Sequence, residues 1–256
     1  MAFNSDFRSA ESQQGQVAFD AGLRAYMLRV FNWMAFALVL TAVSAYAVVH
    51  TSLRGIFFRA HGLANGQIVM GPSIIGMVAI FLPLVFVMVL SFGVNRLSRS
   101  AAQGIFILYS VAMGISLSSI LLAYTGASVV RTFLIAASLY SAVALWGYVT
   151  NRSLSGFGMF LFMGLVGLMI AGLVNMFIPT SFMTTAISFV GVLLFSGYTA
   201  YDTQRIKMSY LQYMGAYSAD DIGKLSIYDA LSMYLNFVNL FQSLLQFVGV
   251  RSDDRG

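Results

Sequence analysis

The sequence predicts an all-α integral membrane protein of seven transmembrane helices, and three observations carry that prediction. The 256 residues are 59% hydrophobic and 9% charged, with a mean hydropathy of +0.82, whereas a soluble domain carries about a quarter charged residues. No Asp or Glu occurs between Ala21 and Tyr201. Seven apolar stretches lie close to the length of about 20 residues that a bilayer core roughly 30 Å thick demands of a helix.

In chain order, residues 1–23 form a polar N-terminal tail, 24–250 a single seven-helix transmembrane domain, and 251–256 a short C-terminal tail. The first apolar run begins too late and is too long for a cleavable signal, and no small-residue cleavage site follows it. The spans fall at 27–49, 71–94, 102–124, 132–150, 154–178, 183–203 and 227–250, joined by short connections except after the first and sixth. Consecutive helices should therefore be antiparallel neighbours. Pro83 lies midway along the second span and should kink it, because it removes one backbone hydrogen bond. Small residues recur along the fifth span from Gly156 to Gly172 and predict close packing within the bundle.

The seventh stretch differs in kind. Asp229, Ser232, Asn236, Asn239, Ser243 and Gln246 step by three and four residues, which places them on one narrow helical face. A polar seam cannot face lipid, since each unpaired amide there costs free energy. This helix therefore suits the centre of a bundle or the wall of a cavity. Its seam is either a polar pathway or interhelical hydrogen-bonding worth about 0.6 kcal/mol per bond. Asp229, near the start of the stretch, reads most simply as an exposed first-turn residue at the positive end of the helix dipole.

Charge sets orientation and excludes several functions. With the N-terminus inside, the inner side holds Arg8, Arg24, Arg29, Arg96, Arg99, Arg152, Arg205, Lys207 and Lys224, against Arg54, Arg59, Arg131, Arg251 and Arg255 outside. Nine against five favours a cytoplasmic N-terminus and a C-terminus on the far side. The net charge of +5 and pI near 9.6 do not indicate nucleic acid, because the basic residues sit singly at span ends and form no stripe. Anionic headgroups of the bilayer account for them. With no Cys, thiol chemistry and thiolate metal sites are excluded. An enzyme is not expected: the histidines, His50 and His61, lie in the first outer loop, and aspartyl chemistry needs two carboxylates at one site. No cofactor is indicated.

Asp202 is the singular residue. It follows a long acid-free region, at the end of the sixth span, and an ionisable residue at membrane depth is a functional candidate. Its structural alternative is a tie to Arg205 and Arg96 at the inner interface.

Four segments resemble the Bax inhibitor-1 (transmembrane BAX inhibitor motif) family: Gly114-Ile-Ser-Leu-Ser-Ser-Ile120, Tyr148-Val-Thr-Asn-Arg-Ser-Leu-Ser-Gly156, Leu194-Phe-Ser-Gly-Tyr-Thr-Ala-Tyr-Asp-Thr-Gln-Arg-Ile-Lys207 and Ala230-Leu-Ser-Met-Tyr-Leu-Asn-Phe-Val-Asn-Leu-Phe241. The likeness runs from about Leu23 to Val250, and the polar tail and compact loops resemble a bacterial member, which implies a multi-pass protein of the cell (inner) membrane. The resemblance implies a seventh helix at the centre, wrapped by the other six. It also implies a pH-sensitive calcium leak channel, in which a carboxylate at Asp202 pairs with a second one on the seventh helix, beside an Arg matching Arg96.

This chain departs from that pattern. The second aspartate's position is Asn236, and a further acid of the second span aligns with Val85. An Asn cannot share a proton with Asp202, so a latch of Asp202 and Arg96 is expected to stay charged through neutral pH. Asp229 could supply the second charge only with a different geometry, being about 10 Å along the helix from Asn236. Calcium wants several oxygen ligands, and the amide oxygens of Asn236, Asn239 and Gln246 would have to supplement Asp202. The reading is a cation leak channel, with calcium as the candidate transported ion, whose pH-responsive latch involves Asp202, Arg96, Asn236, Asp229, Asn239 and Gln246. Its alternative is a non-conducting membrane interaction protein that modulates other membrane proteins or a membrane protease.

Overall fold

Side-chain hydroxyls open most of the helices that run antiparallel through this molecule. The computed structural model describes the backbone of residues 3–62, 68–93, 96–213 and 217–252, and the side chains of 21–59, 71–93, 96–212 and 217–252. The elements are α1 (Phe3–His50), α2 (Arg54–Phe57), β1 (Phe58–Gly62), β2 (Ile68–Pro72), α3 (Ile74–Gly93), α4 (Arg99–Ala123), α5 (Gly126–Val149), α6 (Phe157–Phe177), α7 (Ser181–Tyr213) and α8 (Ala219–Val248). Ser98, Thr125 and Ser218 cap α4, α5 and α8, each accepting a backbone N–H of the first turn.

These caps move several boundaries. Thr125 starts α5 six residues before the predicted 132, which brings Arg131 into the helix. Ser218, with Asp220 and Asp221 behind it, starts α8 eight residues before the predicted 227. The sixth span continues ten residues past Thr203 as α7, because Gln204, Arg205 and Lys207 are good helix formers. The backbone of α1 is helical from Phe3, so residue 23 marks a change of polarity and not the start of an element.

One element was not foreseen. The first connection holds an antiparallel hairpin of β1 and β2, with Ala60 opposite Met70. Two five-residue strands give too short a pattern to register beside membrane-length helices. Pro72 ends β2, and Ser73 then bonds the Gly76 N–H at 3.1 Å to open α3. The helix α3 runs on through Pro83.

Among the described residues, six helices are long and apolar enough to cross a membrane: the Ala21–His50 part of α1, α3, α4, α5, α6 and the Ser181–Gln212 part of α7. The seventh, α8, is as long but amphipathic. Its principal neighbours are α1, α4, α5 and α7, whereas α3 packs on α4 and α6 on α7. Four helices are therefore its principal neighbours, where the resemblance implied that six wrap it. Ala230, Met233, Tyr234 and Leu240 of α8 are wholly buried, while α6 buries only Leu161.

Packing of α8 is aromatic on the α4 side. Tyr234 meets Tyr109 and Phe106 edge-on at 5.5 and 6.0 Å, a preferred ring geometry. Its hydroxyl lies 2.7 Å from Thr41 Oγ1. On the α5 side, Tyr140 donates to the Met233 carbonyl at 3.0 Å.

Glycines permit two backbone approaches. A Cβ on Gly114 would strike Ser44 Oγ and the Thr41 carbonyl of α1. One on Gly147 would lie 2.5 Å from the Ala200 carbonyl oxygen of α7. The glycine stripe of α6 serves packing only in part: Gly158 faces Tyr201 and Gly164 faces Leu194, but Gly167 and Gly172 face open space. Gly167→Ala should therefore leave stability unchanged or raise it by up to about 1 kcal/mol through helix propensity, as thermal unfolding in detergent would report. A clear loss of stability would mean that Gly167 meets a partner helix.

Candidate functional site on the seam between α7 and α8

Asp202 faces α8 from about three turns before the end of α7, and only 6% of the residue is exposed. Its Oδ1 accepts a 2.9 Å bond from Arg205 Nε. Its Oδ2 accepts from Ser232 Oγ at 2.7 Å and from Asn236 Nδ2 at 2.8 Å. Arg205 Nη2 reaches on to Ser232 Oγ at 3.4 Å. One carboxylate thus gathers three donors, one of them charged, and such charge-assisted bonds are the strong ones.

The cation on Asp202 is Arg205, one turn away on the same helix, and not Arg96. Arg96 is exposed in the turn after α3 and makes no ion pair with Asp202. The i,i+3 spacing of Asp202 and Arg205 makes the intrahelical pair local and cheap in ordering. Val85 is about half exposed on α3, away from this cluster.

A cavity of about 380 Å³ opens beside the carboxylate, with Tyr198, Tyr201, Asn236 and Asn239 in its wall. Asn236 points its amide nitrogen at Asp202, which leaves its oxygen outside that bond. Asn239, one turn further along, has no hydrogen-bond partner among the described residues. A second cavity of about 210 Å³ lies nearer the helix start and is lined by Tyr26, Arg205, Ser209, Tyr210 and Asp229. Arg205 stands in the wall of both.

Asp229 occupies the third turn of α8, since the helix begins at Ala219. It is half-buried and accepts a 2.6 Å bond from the Tyr26 hydroxyl of α1. The exposed first-turn reading is corrected on both counts: the Ser218 cap carries the helix start two turns earlier. Tyr26→Phe should cost about 1–2 kcal/mol by stripping a donor from a half-buried carboxylate. A thermal-unfolding loss below about 0.5 kcal/mol would show that water replaces the bond at no cost.

Towards the other end the seam closes. Gly191 of α7 sits so near Ser243 that a Cβ there would lie 2.5 Å from Ser243 Oγ. Gln246 is exposed and accepts from Ser188 Oγ at 3.2 Å. The six seam residues therefore do not form one continuous channel wall. Asp229 pairs with α1, Ser232, Asn236 and Asn239 meet the Asp202 cavity, and Ser243 and Gln246 pack on the far half of α7. Ser188, Gly191 and Tyr26 belong to this arrangement and were not singled out from sequence. Only Tyr26 carried a signal, as an aromatic hydroxyl between Arg24 and Arg29 at the start of the first span. Among the described residues, no three His, Asp or Glu side chains come together as metal ligands.

Relatives match the sequence over nearly the whole chain. Residues 23–253 match the family model described as "Inhibitor of apoptosis-promoting Bax1". The chain is 42% identical over 236 residues to the uncharacterized protein RP147 of Rickettsia prowazekii, covering 92% of this chain and 93% of that one. It is 38% identical over 232 residues to the inner membrane protein YbhL of Escherichia coli K12, covering 90% and 94%. A Caulobacter vibrioides protein is 38% identical over 249 residues, covering 96% and 97%. With its helical membrane architecture and a family match spanning all of its long helices beyond residue 23, the chain is a member of the Bax inhibitor-1 family.

Proposed function

We propose that this protein leaks cations, calcium among them, along the seam between α7 and α8, under the control of Asp202. In this reading it is a multi-pass protein of a bacterial inner membrane with a cytoplasmic N-terminus, and α8 is a seventh crossing at the bundle centre. Two ties support that crossing. Asp220, at the start of α8, lies 3.8 Å from Arg99 at the start of α4. At the other end Thr125, just past α4, bonds the Val250 carbonyl at 3.1 Å. α8 therefore runs beside α4 from end to end and covers the same depth.

The observation that carries the proposal is the buried carboxylate of Asp202 in the wall of a cavity that also holds Asn239. Buried charge at membrane depth is costly and marks pathways. The carboxylate and the amide oxygens of Asn236 and Asn239 are hard donors of the type that calcium accepts. Arg205 takes the latch role that the family pattern gives to an Arg matching Arg96. It neutralises Asp202 without a second carboxylate and must move aside for a cation to bind. Conduction further requires α7 and α8 to part at Gly191 and Ser243, where the seam is shut.

A second reading has its own support. Asn236 removes the proton-sharing partner, and the far half of the seam is sealed by ordinary packing. Both features suit a non-conducting protein that modulates other membrane proteins or a membrane protease.

Single cysteines separate the two, because the chain has none of its own. Asn239→Cys in liposomes should react with a membrane-impermeant thiol reagent applied to the Arg205 side, and the modification should lower cation flux. Modification that leaves flux unchanged would remove the seam from the pathway. A chain without flux, co-purifying with a membrane protein, would favour the second reading.

A further inference from the structure

A further cavity, of about 340 Å³, lies on the opposite flank of α8 from the Asp202 seam. Leu38 and Ala45 of α1, Leu117 of α4 and Val130 of α5 form its walls, and Phe237 and Phe241 of α8 form its floor. We propose that this cleft binds one acyl chain of a phospholipid from the leaflet that holds Arg131 and Arg251.

Chemistry fixes the occupant's class. Of the two hydroxyl-bearing residues that line the cleft, Tyr46 lies at its exposed mouth, and the inner one, Thr41, has its hydroxyl already 2.9 Å from the Ser110 carbonyl and 2.7 Å from the Tyr234 hydroxyl. Water would find no further partners there, and apolar cavities stay dry and take apolar ligands. The volume falls within the range of about 300–1,000 Å³ typical of ligand sites.

Geometry fixes the source. The cleft opens sideways between α1 and α5, at Tyr46, Val130 and Phe133, which are 60%, 61% and 40% exposed. At this depth in a membrane bundle those residues face hydrocarbon. From Leu38 to Tyr46 the cleft follows α1 for about 12 Å, most of one leaflet's share of a core roughly 30 Å thick.

Charge at the mouth suits a phosphate headgroup. Arg131 is exposed on α5 next to Val130. Arg251 lies over the Tyr124 ring at 6.0 Å, at the end of α4 that borders the cleft. The floor residue Val238 is only 3% exposed to solvent, so label reaching it must arrive through the cleft. Filling the cleft presses on the face of α8 opposite its polar seam.

The test uses full-length protein in phosphatidylethanolamine–phosphatidylglycerol vesicles doped with phosphatidylglycerol carrying a diazirine on its acyl chain. After irradiation, mass spectrometry should find adducts on α8 around Phe237, Val238 and Phe241, as well as on the outward residues Phe160 and Met163 of α6. Ala42→Trp and Val130→Trp, each narrowing the mouth, should lower the α8 adducts several-fold and leave those on α6 unchanged. Label on α6 with none on α8 in the wild type would overturn the proposal, without any variant having to fold. So would α8 label indifferent to both substitutions, or label displaced by free oleate at concentrations that leave α6 labelling intact, which would make the ligand a free fatty acid.

Discussion

Gly114→Val is expected to prevent stable folding. At this position the α4 backbone lies directly on α1, and any Cβ would strike Ser44 Oγ and the Thr41 carbonyl. Overpacking usually costs about 1–3 kcal/mol, and the lower values apply where a side chain can swing away. A carbonyl inside α1 cannot swing away. The same turn also holds Thr41 against Tyr234, so relief by shifting α1 would strain the aromatic contact with α8. Against a total stability of about 5–15 kcal/mol, a loss beyond about 3 kcal/mol should appear as a sharp fall in folded yield. Gly114→Ala should show a smaller loss of the same sign. Wild-type thermal stability in Gly114→Val would mean that α1 and α4 are further apart than described.

Asp202→Ala is the second large effect. It removes the acceptor for Arg205, Ser232 and Asn236 together. The Arg205 side chain is 44% exposed and recovers water, so its share is small. Ser232 and Asn236 lie deeper, and each lost bond there is worth about 0.6–1.7 kcal/mol. The expected cost is about 2–3 kcal/mol once the stranded donors are included. Arg205→Ala added to Asp202→Ala should then cost almost nothing, because the pair acts as a unit. Full additivity of the two substitutions in unfolding measurements would mean that the 2.9 Å contact carries no coupling.

Much of this was legible before any coordinates. The spacing of the polar residues on α8 announced a face that lipid could not cover, and Asp202 announced itself by the acid-free stretch before it. What that spacing could not say was which neighbour meets each step of the face. Asp229 and Gln246 share a stripe on paper, yet one bonds Tyr26 of α1 and the other Ser188 of α7. A helical stripe specifies direction, and helix crossing sets contact, since neighbours diverge along their length. The choice of Arg205 over Arg96 was also hidden. Both lie just beyond the ends of predicted spans, and only the continuation of α7 beyond Thr203 puts Arg205 one helical turn from Asp202. That continuation rests on residues too polar to count as a span, as do the early turns of α8. The hairpin was invisible for the opposite reason, its strands being too short to show a period. Gly114 lay within a quoted motif, but nothing in a sequence distinguishes a glycine under backbone contact from Gly167, which faces open space.

The central claim is that cations pass along the α7–α8 seam and that Asp202 governs them. The most direct test reconstitutes purified protein in liposomes loaded with a calcium dye, and compares wild type, Asp202→Asn and Asn236→Asp from pH 5 to pH 8. The account predicts flux in wild type, several-fold lower in Asp202→Asn, where the only carboxylate of the cavity is lost. It predicts a new pH step in Asn236→Asp, because the Asn236 amide already lies 2.8 Å from the Asp202 carboxylate and two carboxylates that close share a proton. No flux from any of the three, with folding verified, would contradict the account and leave a non-conducting interaction protein in its place.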